Sequence, residues 1–352
     1  MNSKNKVFRI VLVCFILVSM VMSVTAAGRP ETAPPTEEQP LSVVVFIPGV
    51  VAGSPPYEAL VRGAEQAAAA HDRLSIRVFE AGFNQAEWEE QITSLAATGM
   101  YDIILTSNPS LPEIFAEVGK RFPNQKFISF DADYPGNDQI VTYLYNQYEQ
   151  SLYLGYLAGL VSTSDMPNAK PGMKVGFVAG QEYPMMNNLI VPGFLDGAKM
   201  VDDRFELDFR VVGNWFDASR ARELANSMMD AGVDVFAVIA GGAGQGVIEA
   251  ARDRGAYVVF HNTNVYAMAP GVIIGCGSME QEKLTLEVLE AALLGEIEWG
   301  TSYVVDAANG YLDFYDQDPG YVNYVPASIR AEFDAFMDDI RKGAVPFVTP
   351  KM

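Results

Sequence analysis

The sequence is short of the residues that most enzymes and metal proteins use for chemistry. It holds two cysteines, Cys14 and Cys276, and two histidines, His71 and His261. Cys14 lies in an N-terminal apolar run that reads as a removable leader. With Cys276 alone remaining, an internal disulfide and a cysteine-built zinc site are excluded. No His-Glu-x-x-His pattern occurs, and a Ser-His-Asp triad would have to rest on His71 or His261. Each histidine is more simply a surface or pocket residue. Basic charge is scarce as well: 24 Lys and Arg stand against 44 Asp and Glu, a net −20, which argues against a nucleic-acid partner.

Long apolar runs are missing except at the start. Lys4, Lys6 and Arg9 open the chain, an apolar stretch covers residues 7–24, and small residues close it at Val24-Thr-Ala-Ala27. That is the three-part form of a secretory signal peptide, so residues 1–26 are expected to be cleaved off, after Ala26 or Ala27. A retained membrane anchor is the other reading of this run. Lipid attachment at Cys14 fits poorly, because Val13 is bulky where a lipobox needs a small residue. Residues 27–40 are proline-rich and polar and are expected to form a disordered tether. The remainder suffices for two domains. Export would place it in the periplasm or on the outer face of the cytoplasmic membrane.

What is present is a repeated alternation of short apolar strands and helical patterns. Strand-like runs fall at 42–47, 75–80, 102–105, 126–130, 140–144, 174–178, 207–212, 235–239, 256–261 and 272–275, with amphipathic segments between most of them. Such alternation predicts right-handed βαβ units and parallel sheets. The helix over 148–162 has a small face, Ser151, Gly155, Ala158 and Gly159, which allows close packing against another element. The most informative stretch is Val233-Asp-Val-Phe-Ala-Val-Ile-Ala240, followed by Gly241-Gly-Ala-Gly-Gln-Gly246 and a helix. It puts backbone N–H groups at the C-terminal edge of a sheet, where open α/β folds bind small molecules. The glycines do not match a dinucleotide fingerprint, and no Gly-Lys-Ser/Thr follows.

Several residues carry a resemblance. Gly176-Phe-Val-Ala-Gly180, Pro192-Gly-Phe-Leu-Asp-Gly-Ala198, Gly232-Val-Asp-Val-Phe236, the glycine turn and Ala269-Pro-Gly271 resemble the basic membrane protein family of ABC-transporter substrate-binding proteins. The likeness runs over about residues 42–344. Within the family, Ser54-Pro-Pro-Tyr57, Asn84-Gln-Ala-Glu-Trp88, Ser107-Asn-Pro-Ser-Leu-Pro112, Tyr145-Asn-Gln147 and Asp208-Phe-Arg-Val-Val-Gly-Asn-Trp215 look most like its riboflavin-binding branch. The nucleoside-binding branch differs: its Asp-x-Asp pair is replaced here by Asn262-Thr-Asn264, and its lysine falls at Met279.

The resemblance implies an α/β fold of two doubly wound lobes, a type I periplasmic binding protein with a three-strand hinge and a central ligand cleft. The crossovers are expected near Leu144, Asn264 and residues 303–308. One lobe then comprises residues 41–145 plus 265–304, and the other 146–264 plus 305–345. The implied role is a monomeric receptor that captures riboflavin, or alternatively a purine nucleoside, and delivers it unchanged to permease subunits. Riboflavin enters as cargo, and no cofactor is expected. The competing class is an oxidoreductase using the glycine turn, against which stand the leader, the missing fingerprint and the lack of an acid–base pair. A ligand-sensing ectodomain is a third reading.

Flat ligands need apolar faces and a polar edge. Trp215, in a loop between a strand end and a helix, is the leading stacking candidate. Tyr57 or Tyr183 is its facing ring, and packing alone explains either. Asn108 offers an amide to a ring edge, or else caps a helix with Ser110 as competitor. Asp131 ends a strand and accepts from an imide or hydroxyl, unless it is only a turn residue. Asn262 and Asn264 lie where hydroxyls would sit, or serve the hinge. Gly241 and Gly242 permit close backbone approach. Trp88 is read as packing rather than site.

Overall fold

The computed structural model describes residues 40–170 and 172–346; the expected signal peptide and the tether up to residue 39 lie outside the described residues. The chain begins with β1 (Leu41–Ile47), α1 (Pro55–Ala70), β2 (Leu74–Glu80), α2 (Gln85–Ala97), β3 (Ile103–Ser107), α3 (Leu111–Arg121), β4 (Lys126–Phe130) and β5 (Ile140–Tyr145). It continues through α4 (Gln147–Ser162), β6 (Lys174–Ala179), α5 (Val191–Val201), β7 (Glu206–Val211), α6 (Ala218–Asp230), β8 (Val235–Ile239), α7 (Gly244–Arg254), β9 (Tyr257–Phe260) and β10 (Ile273–Met279). Last come α8 (Gln281–Leu294), β11 (Ser302–Val305), β12 (Leu312–Phe314), α9 (Pro319–Val322) and α10 (Ala327–Arg341).

Two six-stranded sheets result, with matching orders: β11-β5-β4-β3-β1-β2 and β12-β10-β9-β8-β6-β7. Val43 through Ile47 of β1 are all fully buried. A strand apolar on both faces belongs inside a parallel sheet covered by helices on either side, and β1 pairs in parallel with β2 and β3. The second sheet repeats this with β6 between β7 and β8. β12 runs antiparallel to β10. The expected α/β architecture of two parallel-sheet lobes is therefore observed.

The chain passes between the lobes at three places. The first is at Asn146, between β5 and α4. The second falls at Glu280, and here the structure corrects the sequence reading. Residues 265–279 do not join the first lobe. After a turn of 3-10 helix at Tyr266–Met268, β10 pairs in parallel with β9, Ile273 opposite Val258 and Cys276 opposite Phe260. The polar Asn262-Thr-Asn264 stretch looks like an exit but is a strand-end loop inside the second lobe. The return to the first lobe begins only with α8, which Gly63 of α1 lets approach so closely that a Cβ there would meet Glu282 and Thr285. The third passage follows β11, which extends β5.

These passages are tied together by hydrogen bonds. Asn146 N donates to the Val305 carbonyl (2.8 Å), Ala307 N to Glu149 Oε1 (2.7 Å), and Gln150 Nε2 to the Ser278 carbonyl (3.2 Å). Burial pushes the Glu149 carboxyl up to about 7, against the lowering effect of the Ala307 amide.

Helix α4 is buried nearly all round, so its small face has a packing purpose. Gly155 sits against the Phe194 carbonyl of α5, Gly159 against Ala198 and Val201, and Gly197 of α5 against Leu152. Small residues from both helices bring the backbones together. Gly155→Val is expected to destabilise the protein by about 3 kcal/mol, because two rigid backbones must separate. Urea unfolding measures this; a midpoint equal to that of the wild type would contradict the packing.

Candidate functional site

The loops at the C-terminal ends of the parallel strands of the two sheets meet between the lobes. A cavity of about 740 Å³ lies there, walled by Pro55, Pro56, Glu58 and Arg62 of the first lobe and by Gly241, Gly242, His261 and Asn262 of the second. Gln281, at the second passage, also lines it. A cavity of similar size, about 710 Å³, opens at the far end of the second lobe between residues 164–168, Tyr257 and Tyr324. It draws on one lobe only, and its Tyr257 hydroxyl is already used by Asn168 N (3.3 Å).

Three of the expected residues, Tyr57, Asn108 and Tyr183, group near a fourth, the Asp131 carboxylate, and none of the four is among the residues lining the cavity between the lobes. Asp131 follows β4 with a left-handed backbone, φ 55°, and accepts from Gln147 Nε2 at 2.7 Å. Burial pushes its carboxyl up to about 7, with the Gln147 bond opposing the shift. The Tyr57 hydroxyl meets the Asn108 side chain, and burial, then the Asp131 charge, raises its pKa. Tyr183, from the opposite lobe, is raised by burial and by the same charge. Asn108 also acts locally, since its Oδ1 accepts from Ser110 N at 2.9 Å, so half its amide shapes the turn into α3.

Trp215 lies elsewhere on the second lobe, beside Gly241 but outside the residues that line the cavity. Its ring rests on two glycines: a Cβ at Gly180 would fall 2.5 Å from the ring, and one at Gly241 3.0 Å from the Trp215 carbonyl. Trp215 Nε1 donates to Gln181 Oε1 (3.1 Å), and 39% of the residue is exposed. The glycine turn thus seats an indole and lines the cavity with bare backbone. Gly246 serves packing instead, since a Cβ there would collide with the Ala218 carbonyl of α6. Asn262 takes φ 71° and its Oδ1 is buried without a hydrogen bond in the protein. Asn264 is not brought to the cavity: its Nδ2 donates to Asp318 (2.8 Å) and its Oδ1 accepts from Tyr266 N (3.3 Å). Trp88 is buried in the first lobe's packing, 4% exposed.

Sequence reasoning missed several polar groups. Gln281 is 2% exposed, and neither its Nε2 nor its Oε1 has a partner in the protein. His261 bonds Ser151 Oγ through Nε2 (2.8 Å) while its Nδ1 is unpaired, and burial lowers its pKa to about 3, so it is neutral at physiological pH. The Tyr145 hydroxyl is likewise unpaired and feels the Asp131 charge. A buried polar atom without a partner costs roughly 1–3 kcal/mol, a cost that a bound molecule can offset. The only signal in sequence was the placement of Tyr145-Asn-Gln147 and Met279-Glu-Gln281 next to the passages. Arg62 at the cavity edge is paired with Glu282 (2.8 Å). Among the described residues no cluster of His, Cys, Asp and Glu suits a metal ion, and no helix is long and apolar enough to cross a membrane.

Two parallel-sheet lobes with a cavity between them are the architecture expected of a solute-binding protein. Residues 41–341 match the Bmp family, described as ABC transporter substrate-binding protein PnrA-like, and the chain belongs to this family. It is a family of solute-binding proteins, not of enzymes. Among relatives, a CD4+ T-cell-stimulating antigen of Listeria monocytogenes is 27% identical over 48% of this chain and 45% of its own length. The ABC transporter nucleoside-binding protein BmpA of Lactococcus lactis is 25% identical over 43% of this chain and 41% of its own. A purine-binding protein of Brucella abortus is 24% identical over 77% of this chain and 69% of its own. The match thus spans less than half the length of the first two relatives. In fold, solute-binding proteins of ABC transporters from Aeropyrum pernix and Conexibacter woesei superpose with TM-scores of 0.70 and 0.65 at 19% identity. They cover 89% and 88% of this chain, and 94% and 99% of those chains.

Asp131 has a consequence for stability. Its folded pKa, about 7, lies above the ordinary carboxyl value of 3.8. The native state therefore holds the proton more tightly than the unfolded chain. The stability this contributes is complete below pH 4 and is lost as pH rises through 7. Asp131→Asn should remove that loss, flattening the dependence by up to about 1.4 kcal/mol per pH unit between pH 4 and 7. Denaturant unfolding at several pH values measures it; parallel curves for the two proteins would contradict the shift.

Proposed function

We propose that this chain is the ligand-capturing component of an ABC importer, working outside the cytoplasm and handing its cargo unchanged to permease subunits. The observation that carries this is the cavity between the lobes, lined by buried polar atoms that lack partners. Gln281, Asn262 and His261 offer neutral donors and acceptors, and the one cation at the edge, Arg62, is occupied. Such a lining suits an uncharged, hydroxyl- or amide-bearing molecule. The half-exposed Trp215, fixed on its glycine seat, adds a flat apolar face.

Riboflavin fits both features: a broad planar ring for the indole and a neutral hydroxylated chain for the amides. A purine nucleoside has the same two parts, and the names of the Lactococcus and Brucella relatives favour that second reading. Asp131, with Tyr57, Asn108 and Tyr183 around it, supplies an acceptor and hydroxyls for a ring edge. The lobes close over the ligand by rotation at the three passages. The receptor acts as a monomer.

Titration of the full chain with riboflavin, guanosine and inosine tests the reading. Saturable binding of one class, with the ligand recovered intact, is the expected result; chemical turnover would contradict it. Trp215→Ala should weaken that binding by about 10- to 100-fold, the equivalent of roughly 1.5–3 kcal/mol of lost aromatic burial. An unchanged affinity would take Trp215 out of the site.

A further inference from the structure

The two lobes carry the same short device at the edge strand of each sheet. After β2 comes Ala81-Gly-Phe-Asn84 and then α2; after β7 comes Val212-Gly-Asn-Trp-Phe-Asp217 and then α6. Ala81 N donates to the Ile47 carbonyl and Gly82 N to that of Gly49, at 2.8 and 3.0 Å. In the second lobe Val212 N donates to the Ala179 carbonyl and Gly213 N to that of Gly180, at 2.8 and 2.9 Å. Gly82 and Gly213 both have left-handed backbones, φ 70° and 93°, a conformation glycine adopts without strain. Asn84 and Asp217 each cap the helix that follows.

The rings are seated alike. A Cβ at Gly180 would fall 2.5 Å from the Trp215 ring, and one at Gly49 would fall 3.0 Å from the Phe83 ring. Each ring thus rests on the glycine just beyond the strand next to the edge, β6 or β1. In both sheets these strands lie at the side away from the passages, since β5 and β11 occupy the opposite edge of one sheet and β10 and β12 that of the other. Both rings therefore stand at the cleft mouth, where rotation about the passages moves the lobes most. Single exposed apolar residues are ordinary. Phe83, 75% exposed, is singled out by its glycine seat and its counterpart, not by its exposure.

Resting on the reading that the ligand is planar and heteroaromatic, we infer that Phe83 is the first lobe's stacking wall. On closure it covers the ring face opposite Trp215. Tyr57 and Tyr183, the facing rings expected from sequence, are instead edge-binding residues grouped about Asp131. The ligand ring then lies towards the mouth, and its neutral polar substituent extends inwards to Gln281 and Asn262. The wall selects by ring area, so a bare sugar or polyol gains nothing from it.

The test uses the full chain and its Phe83→Ala, Phe83→Tyr and Phe83→Trp variants, titrated with riboflavin by flavin fluorescence and with guanosine by calorimetry. Phe83→Ala should weaken the bound class by on the order of tenfold, while the aromatic variants stay close to wild type. Thermal midpoints should agree across the set, as the side chain is largely exposed. Wild-type-like affinity in Phe83→Ala would overturn the inference and leave the ligand class standing. Equal losses in the alanine and tryptophan variants would overturn it too, by showing that the loop and not a ring matters. A wild-type protein that binds neither compound would overturn the ligand class, and the role of Phe83 with it.

Discussion

The molecule depends on three backbone passages held side by side. Asn146, Glu149 and Gln150, all within one turn of the start of α4, bind both other passages: Val305 and Ala307 on the third and Ser278 beside the second. One helix end therefore fixes the geometry of the whole junction. The close contact of α4 with α5 anchors that helix in the second lobe. Rigid halves on a narrow, hydrogen-bonded hinge are what a clamp requires.

Beside this junction the protein leaves polar atoms unpaired. Among the described residues, Gln281, His261, Asn262 and Tyr145 all have buried side-chain atoms without partners. Buried polar groups are normally satisfied, and a cluster of exceptions next to a cavity marks where something from outside completes the set. The groups are neutral amides, a neutral imidazole and a phenol. Asp131 is held near its titration point rather than fully charged. The interior is thus tuned to hydrogen bonding, with little of the fixed positive charge that a phosphate or carboxylate would demand.

Much of the fold was legible in the sequence because its signals are local. Val43 to Ile47 cannot be anything but a buried strand, and the small face of α4 announced a close neighbour. The second passage was misread because strand pairing is not local. Nothing in Ile273–Met279 says whether it continues beside β9 or starts the other sheet, whereas the polar Asn262-Thr-Asn264 run looks like an exit. In the candidate site, residues at strand ends could be named in advance, since turn chemistry marks those positions. Gln281 could not: with Glu282 and Lys283 beside it, it reads as an ordinary exposed helix start. It is nonetheless buried, at the first turn of α8 beside the cavity. Phe83 escaped for a different reason, because a glycine followed by an aromatic is too common a pair to signal a repeat.

Small-angle scattering of the full chain during a ligand titration tests most directly whether the lobes clamp a small molecule. A radius of gyration that contracts with the same saturation point as binding is the expected outcome. Dimensions that stay constant while the ligand binds would contradict a hinge-closing receptor.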